Sequence, residues 1–335
     1  MRHNDHNDKS HCLIAPLLPS LGAAPLGLRA RLEDLSDDVA CLGRLDIPPL
    51  LRFHRVMECI HVIAATILQA EQAGLRQQEI ATALGTARTT LGLSGLLSRM
   101  QKWSLGDPGD VETIEALIAA PEDSSFQDVA SCATHVFRAS PLAQQFRNRL
   151  AFQTRCILRF ADHGQRILSL SAGGALDVVD AVALGSIRSS ITFNDPASDA
   201  LMLIENRLGT FGIIHELVRS DALTYAETLP SNRFDLITTG RLLDTTDSRR
   251  SQELIRQLWS ALVPGGLLIF SSIARPNPYR VILSILGDWQ LIERDTMDVR
   301  RLIAKTAPPA TKPVVVADTS GLAHLVELRK PRHQG

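Results

Sequence analysis

The residues best placed by type and spacing to do chemistry lie in "RILSLSAGGALDVVDAV", residues 166–182. Ser171, Ala172, Gly173 and Gly174 stand between an apolar run and an amphipathic one, and their small side chains let a ligand lie against the backbone. Asp177 falls in the first turn of the following run, where a carboxylate suits the positive end of a helix dipole. Asp195 closes the next apolar run, "ITFND", 22 positions after Gly173. An acid at that spacing suits the two ribose hydroxyls of a nucleoside, which donate to a carboxylate. Asp221 follows the third run, in reach of an adenine amino group, and Arg147 and Arg149 in "FRNR" offer bidentate donors for a carboxylate. On the acceptor side the candidate catalytic residues are Asp244, Tyr279 and Arg280, with Asp110 and Asn277 beside them. His135 and His215 are the histidines available as bases, although a lone histidine more often serves structure.

These residues need elements to hold them. "RILSLSA", "SSITFND", "GIIHELVRS", "FDLITTG" and "GGLLIFSSI" are short, apolar and bounded by turn residues, with helical patterns between most of them. Strands alternating with helices predict an α/β, doubly wound sheet over 161–330, finished by a helix and late strands beyond 281 and interrupted by a Pro- and Thr-containing loop at 306–316. Residues 46–160 read as an all-helical cap or dimerisation region, with "LLRFHRVMECIHVIAATILQAEQAG" ending at Gly74. Residues 1–45 carry little regular pattern beyond the short helix of "LRARLEDLSDDVACL" and are expected to be poorly ordered.

The order of motifs adds a cofactor. A helix, then "LVPGG", then an apolar fifth strand resembles class I methyltransferases that use S-adenosylmethionine; no Walker lysine and no full GxGxxG is present. More narrowly, 93–117, 140–157, "RILSLSAGGALD", "FDLITTGRLLD" and 274–302 run in the order seen in bacterial methyltransferases similar to the extracellular-factor, 3-hydroxypalmitate methyl ester biosynthesis proteins. That resemblance covers roughly 93–305. It implies a helical cap on a Rossmann-like domain, S-adenosylmethionine as cofactor, and a small-molecule acceptor, carboxylate or hydroxyl, in a biosynthetic or signalling-metabolite pathway. The chain departs from the family at Asp107-Pro108-Gly109-Asp110-Val111, which keeps glycine and aspartate but loses two aromatics, and at Arg241-Leu242-Leu243-Asp244-Thr245. Trp103, Tyr279 and Trp289 remain as aromatics to face a sulfonium.

Composition limits the partners. Thirty-five basic against 36 acidic residues give a net charge of -1 and no bulk pull towards nucleic acid or anionic membrane. No apolar run approaches the ~20 residues of a bilayer span. Five scattered cysteines without a CxxC predict reduced thiols, no metal site and a cytoplasmic location, and the histidine-bearing start reads as a disordered tail. A homodimer through the helical region is compatible with this pattern. Three rivals accompany the methyltransferase reading. One is cyclisation of the cofactor's own aminobutyrate arm, and another is an inactive fold used as a scaffold. The third is a DNA-binding regulator, because "LRQQEIATALGTARTTLGLSGLLSRM" resembles a helix-turn-helix with Arg88 as its base-reading cation.

Overall fold

The computed structural model describes residues 25–102, 109–121, 125–161, 164–306 and 311–332. The polar start of the chain and Trp103 lie outside them. Two compact units emerge: one holds the chain up to Ser140 together with Pro278–Gln290, the other holds Pro141–Asn277 and the chain from Leu291 onward. In chain order the first unit contributes α1 (Pro25–Leu42), α2 (Pro49–Gln72), α3 (Gln77–Ala83), α4 (Gly85–Leu91), α5 (Gly95–Lys102), α6 (Val111–Ile118) and α7 (Val129–Ala139). The second begins with α8 (Pro141–Leu158), β1 (Arg166–Leu170), α9 (Leu176–Leu184), β2 (Ser190–Asp195), α10 (Ser198–Leu208) and β3 (His215–Arg219). It continues with α11 (Ala222–Thr228), β4 (Phe234–Thr238), α12 (Ser248–Ala261) and β5 (Leu262–Ile273). After α13 (Arg280–Leu286), which belongs to the first unit, come α14 (Thr296–Ala304), β6 (Val314–Ala317) and β7 (Ala323–Arg329).

In the first unit, α1 buries Leu28, Leu32, Leu35, Val39 and Leu42, a stripe at helical spacing. That stripe corrects the expectation of a poorly ordered segment from Pro25 onward. Proline at the first position of α2 supplies a preset φ where no backbone donor is needed. Asp110 and Asp128 cap α6 and α7, accepting from Thr113 N and Ser131 N at 2.7 Å each. Asp110, expected on the acceptor side, therefore has one carboxylate oxygen committed to a helix end. His135 stacks edge-on against Phe53 and Phe126, a packing role. The helix-turn-helix-like stretch forms α3 and α4, seven residues each. Arg88 does not stand out to read bases: it donates to Asp288 Oδ2 at 2.6 Å and to Ile285 O at 2.5 Å. Gln101 donates to Leu286 O, and Arg280 pairs with Glu71, so the same unit grips α13 along its length. Cys41 is disulfide-bonded, a correction to the reading of all thiols as reduced, while Cys59, Cys132 and Cys156 are free and buried.

The second unit is a seven-stranded sheet in the order β3-β2-β1-β4-β5-β7-β6. β1 to β5 pair in parallel, and β7 runs antiparallel to β5 and β6. Alternate strand residues serve opposite faces. Ile167, Ile191, Phe193, Leu236, Leu267 and Ile269 pack with α8, α9 and α10, whereas Leu168, Leu170, Ile237, Leu268 and Phe270 pack with α11, α12 and α14. Each fully buried aliphatic side chain contributes roughly 1.5–3 kcal/mol of transfer free energy, so this double core dominates the unit's stability. α8 puts Phe152 and Ile157 into the first of these faces, which is why the division falls at Ser140/Pro141 and not at the expected 160.

"LVPGG" also has a local cause. The β4–β5 register shifts between Phe234 and Leu236, and a side chain on Gly266 would meet Val263 O at 2.9 Å and Asp235 O at 3.1 Å. The late elements differ from expectation in one place. Residues 290–294 form no strand beyond a single bridge from Arg294 to Ala274, because Arg294 turns inward and is buried. Among the described residues no helix is long and apolar enough to cross a membrane, and no cluster of potential metal ligands occurs.

Candidate functional site

β2 and β3 lie to one side of β1, and β4 and β5 to the other, so the connections diverge between β1 and β4. A doubly wound sheet opens a crevice at the carboxyl ends of its strands at such a switch point. The loop from β1 to α9 forms its first wall. Ser171, Gly173 and Ala175 all adopt left-handed backbone, at φ +54°, +56° and +49°. The alternation is that of a three-glycine turn, yet only the middle position is glycine. For serine or alanine this conformation costs about 1–2 kcal/mol each, so the surrounding structure must impose it.

What imposes it is visible in the hydrogen bonds. Ala172 N donates to Asn194 O at 3.0 Å, tying the loop to the end of β2. Gly173 N donates to Asp195 Oδ2 at 2.9 Å, and Ala197 N to Asp195 Oδ1 at 3.0 Å. Arg207 reaches over from α10 to Gly174 O at 2.8 Å. Asp195 is 7% exposed and spans the turns after β1 and β2, one oxygen accepting from each. Asp177 is buried at the start of α9, where it accepts from Val178 N, and burial pushes its carboxyl up to about 6.

The second wall follows β4. Thr238 and Thr239 are buried and their hydroxyls have no hydrogen-bond partner among the described residues; the same holds for Asn194 Oδ1 at the end of β2. Gly240 is left-handed at φ +53°, and a Cβ there would stand 3.3 Å from Ser171 O. The two loops thus run close enough that a side chain at Gly240 would crowd the Ser171 carbonyl.

Asp244 corrects its assignment as a catalytic group. It is fully buried: Oδ2 accepts from Arg149 Nη2 at 2.7 Å and Oδ1 from Ile273 N at 2.8 Å, leaving no exposed face for an acceptor. Of the two arginines in "FRNR", Arg149 is the buried one, while Arg147 is half-buried and bonds Gln144 within α8. Asp221 caps α11, accepting from Leu223 N, Thr224 N and Thr224 Oγ1 through one oxygen. His215 starts β3, at the amino edge of the sheet, where Nε2 meets Glu205 at 2.8 Å and Nδ1 meets Ile213 O. Both contacts support its protonated form. Asn277 is buried at the end of the second unit's first stretch, whereas Tyr279 and Arg280 belong to the first unit, with the Tyr279 phenol raised above its ordinary pKa by burial.

Ser171, Gly173, Gly174 and Asp195 therefore meet at the turn after β1, and Asp177 is buried in the first turn of α9. Sequence reasoning missed Thr238, Thr239, Gly240, Asn194 and Ser271. The signal for the first three was present, as two hydroxyl residues and a glycine closing the strand "FDLITTG".

No protein-family model matches the chain, and no curated protein matches it. Among solved structures the chain is similar to a possible exported protein from Bordetella parapertussis, with TM-score 0.58 and 16% identity over 94% of this chain and 100% of that one. It also aligns with the 1,6-didemethyltoxoflavin-N1-methyltransferase of Burkholderia thailandensis, bound to 1,6-didemethyltoxoflavin and S-adenosylhomocysteine. That TM-score is 0.41, with 15% identity over 55% of this chain and 78% of that one. The N-methyltransferase NodS of Bradyrhizobium japonicum, in complex with S-adenosylhomocysteine, gives TM-score 0.41 and 14% identity over 66% and 98%. At such identities the likeness is one of fold. The strand order, with β1 to β5 parallel and β7 antiparallel, makes a doubly wound, Rossmann-like sheet.

Proposed function

We propose that the chain is an S-adenosylmethionine-dependent methyltransferase acting on a small-molecule acceptor, a carboxylate or hydroxyl, and akin in arrangement to the extracellular-factor-like enzymes. One observation carries the reading. Asp195 braces a left-handed 171–173–175 turn through Gly173 N at the carboxyl end of β2, which puts a carboxylate beside the glycine turn, where a nucleoside's ribose is held in a doubly wound sheet. The buried, unpartnered oxygens of Asn194, Thr238 and Thr239 add polar capacity at the same strand ends, so the residues present fit such a ligand.

When bound, S-adenosylmethionine supplies a methyl group already activated on sulfur. The chain's own work is then binding and alignment. Asp195 accepts from the ribose hydroxyls, the bare backbone at Gly173 and Gly174 lets the ligand lie close, and the β4 loop with Thr239 walls the crevice. A carboxylate acceptor is anionic at neutral pH and needs no base, which agrees with the commitment of His135 and His215 to other contacts. In-line displacement gains mainly from orientation and the exclusion of water, and the rigid double core beneath the loops provides the platform.

Calorimetry tests the reading directly. The wild type is expected to bind S-adenosylmethionine at micromolar Kd, and Asp195→Ala to bind at least about 100-fold more weakly, the scale of a lost charge-assisted pair of hydrogen bonds. No heat with the wild type overturns it. Turnover with a panel of small acids and alcohols should release S-adenosylhomocysteine; methylthioadenosine in its place would mark cyclisation of the cofactor's side chain.

A further inference from the structure

The second unit buries a charged relay. Arg149 is 3% exposed and Asp244 fully buried, and burying two charges is expensive unless their remaining hydrogen-bonding capacity is used. Here it is used directionally. From α8, the Arg149 guanidinium gives Nη2 to Asp244 Oδ2 at 2.7 Å, Nε to Ser271 Oγ at 2.7 Å and Nη1 to Gln145 Oε1 at 3.3 Å. Ser271, on β5, donates its own hydroxyl hydrogen bond to Gly240 O at 3.1 Å. Gly240 is the residue whose missing side chain lets the β4 loop lie against Ser171 O. Ser171 in turn is the first of the three left-handed residues. Arg294 secures the far end of the same loop, donating to Leu243 O and Thr246 O at 2.5 Å each.

We propose that Arg149 and Asp244 are positioning residues: their buried pair, acting through Ser271 and Gly240, sets the backbone of the Ser171–Ala175 turn. This pair anchors three separate chain segments, the β4 loop, β5 and α8, and its last link ends beside Ser171, where a Cβ on Gly240 would come within 3.3 Å of the Ser171 carbonyl. The bonds from Asn194, Asp195 and Arg207 hold the turn on its β2 side, and the β4 loop bounds it at Ser171 on the other. The proposal rests on the methyltransferase reading for its effect on the cofactor, but not for its effect on the loop.

Hydrogen exchange on three full-length variants separates the two. Ser271→Ala breaks the relay while leaving the ion pair intact, Gly240→Ala breaks it at the loop contact, and Asp244→Asn removes the charge. All three are expected to raise exchange at the bonded amides of Ala172, Gly173 and Ala175 by about tenfold, with Ile191 and Phe193 in the β2 ladder unchanged. S-adenosylmethionine affinity should fall in parallel, by a similar factor. If Asp244→Asn does not fold, the two milder variants still decide. Exchange that rises only within 239–246 in Ser271→Ala and Gly240→Ala, with the 172–175 amides unchanged, overturns the proposal. A wild type that takes up no S-adenosylmethionine overturns the functional reading, while the exchange comparison stands by itself.

Discussion

The turn after β1 and the α3–α4 pair fail their sequence motifs in opposite ways. In "SAGGA" two of three glycines are replaced, yet the backbone keeps left-handed geometry at Ser171, Gly173 and Ala175. In α3–α4 the sequence resembles a helix-turn-helix, yet Arg88 is spent on Asp288 and on Ile285 O. A motif describes residues that usually suffice for a geometry or a free group. Neighbours can supply the geometry when the residues are lost, and can consume the group when the residues are kept.

Four measurements sharpen or break that contrast. The strongest concerns the arginines. Arg149→Leu leaves Asp244 buried without its partner and should cost about 3–5 kcal/mol in denaturant unfolding of the intact chain. A cost below 1 kcal/mol would mean that the geometry of the first turn needs no buried brace. Next comes Asp177, whose folded pKa of about 6 lies above the ordinary 3.8. The folded state then holds the proton more tightly than the unfolded chain. Stability is therefore undiminished below pH 3.8, falls as pH rises towards 6, and stays low above it; at about 1.4 kcal/mol per unit the loss is of order 3 kcal/mol. Asp177→Asn should match the wild type near pH 3.5 and exceed it at pH 7, as thermal melts at both values would report. Ser171→Gly relieves one strained residue and should stabilise by about 1 kcal/mol, less the extra entropy of glycine in the unfolded chain. Destabilisation would show that the serine side chain makes a contact worth more than the strain. The smallest effect is expected for Arg88→Ala, about 0.5–1 kcal/mol for a partly exposed pair. Duplex DNA should be retained equally poorly by both proteins at low salt, and salt-sensitive binding by the wild type alone would restore the recognition-helix reading.

The sheet was legible because its signal is redundant. Five apolar runs between turn residues marked β1 to β5, and "LVPGG" announced a register shift whose cause is the close approach of Val263 O and Asp235 O to Gly266. The place of Asp195, at the end of β2 beside the glycine turn, was legible from spacing. Asp244 was not, since an acid in "RLLD" looks the same on paper whether it faces an acceptor or an arginine 95 positions earlier. Asp221 misled for a related reason: the first residue after a strand is also the cap of the next helix. The walls contributed by Thr238, Thr239 and Ser271 escaped because hydroxyl residues in strands carry no spacing rule, and only the sheet order brings them to the ends of neighbouring strands.

The excursion of Pro278–Gln290 has a consequence for how such a protein can be taken apart or inherited. Its first unit is written in two places in the chain, and the second piece sits inside the stretch that encodes the other unit. Cutting at Ser140 yields a piece lacking α13, whose partners Glu71, Arg88 and Gln101 all lie before the cut. An end-to-end fusion made at Ser140 would therefore separate α13 from the helices that hold it.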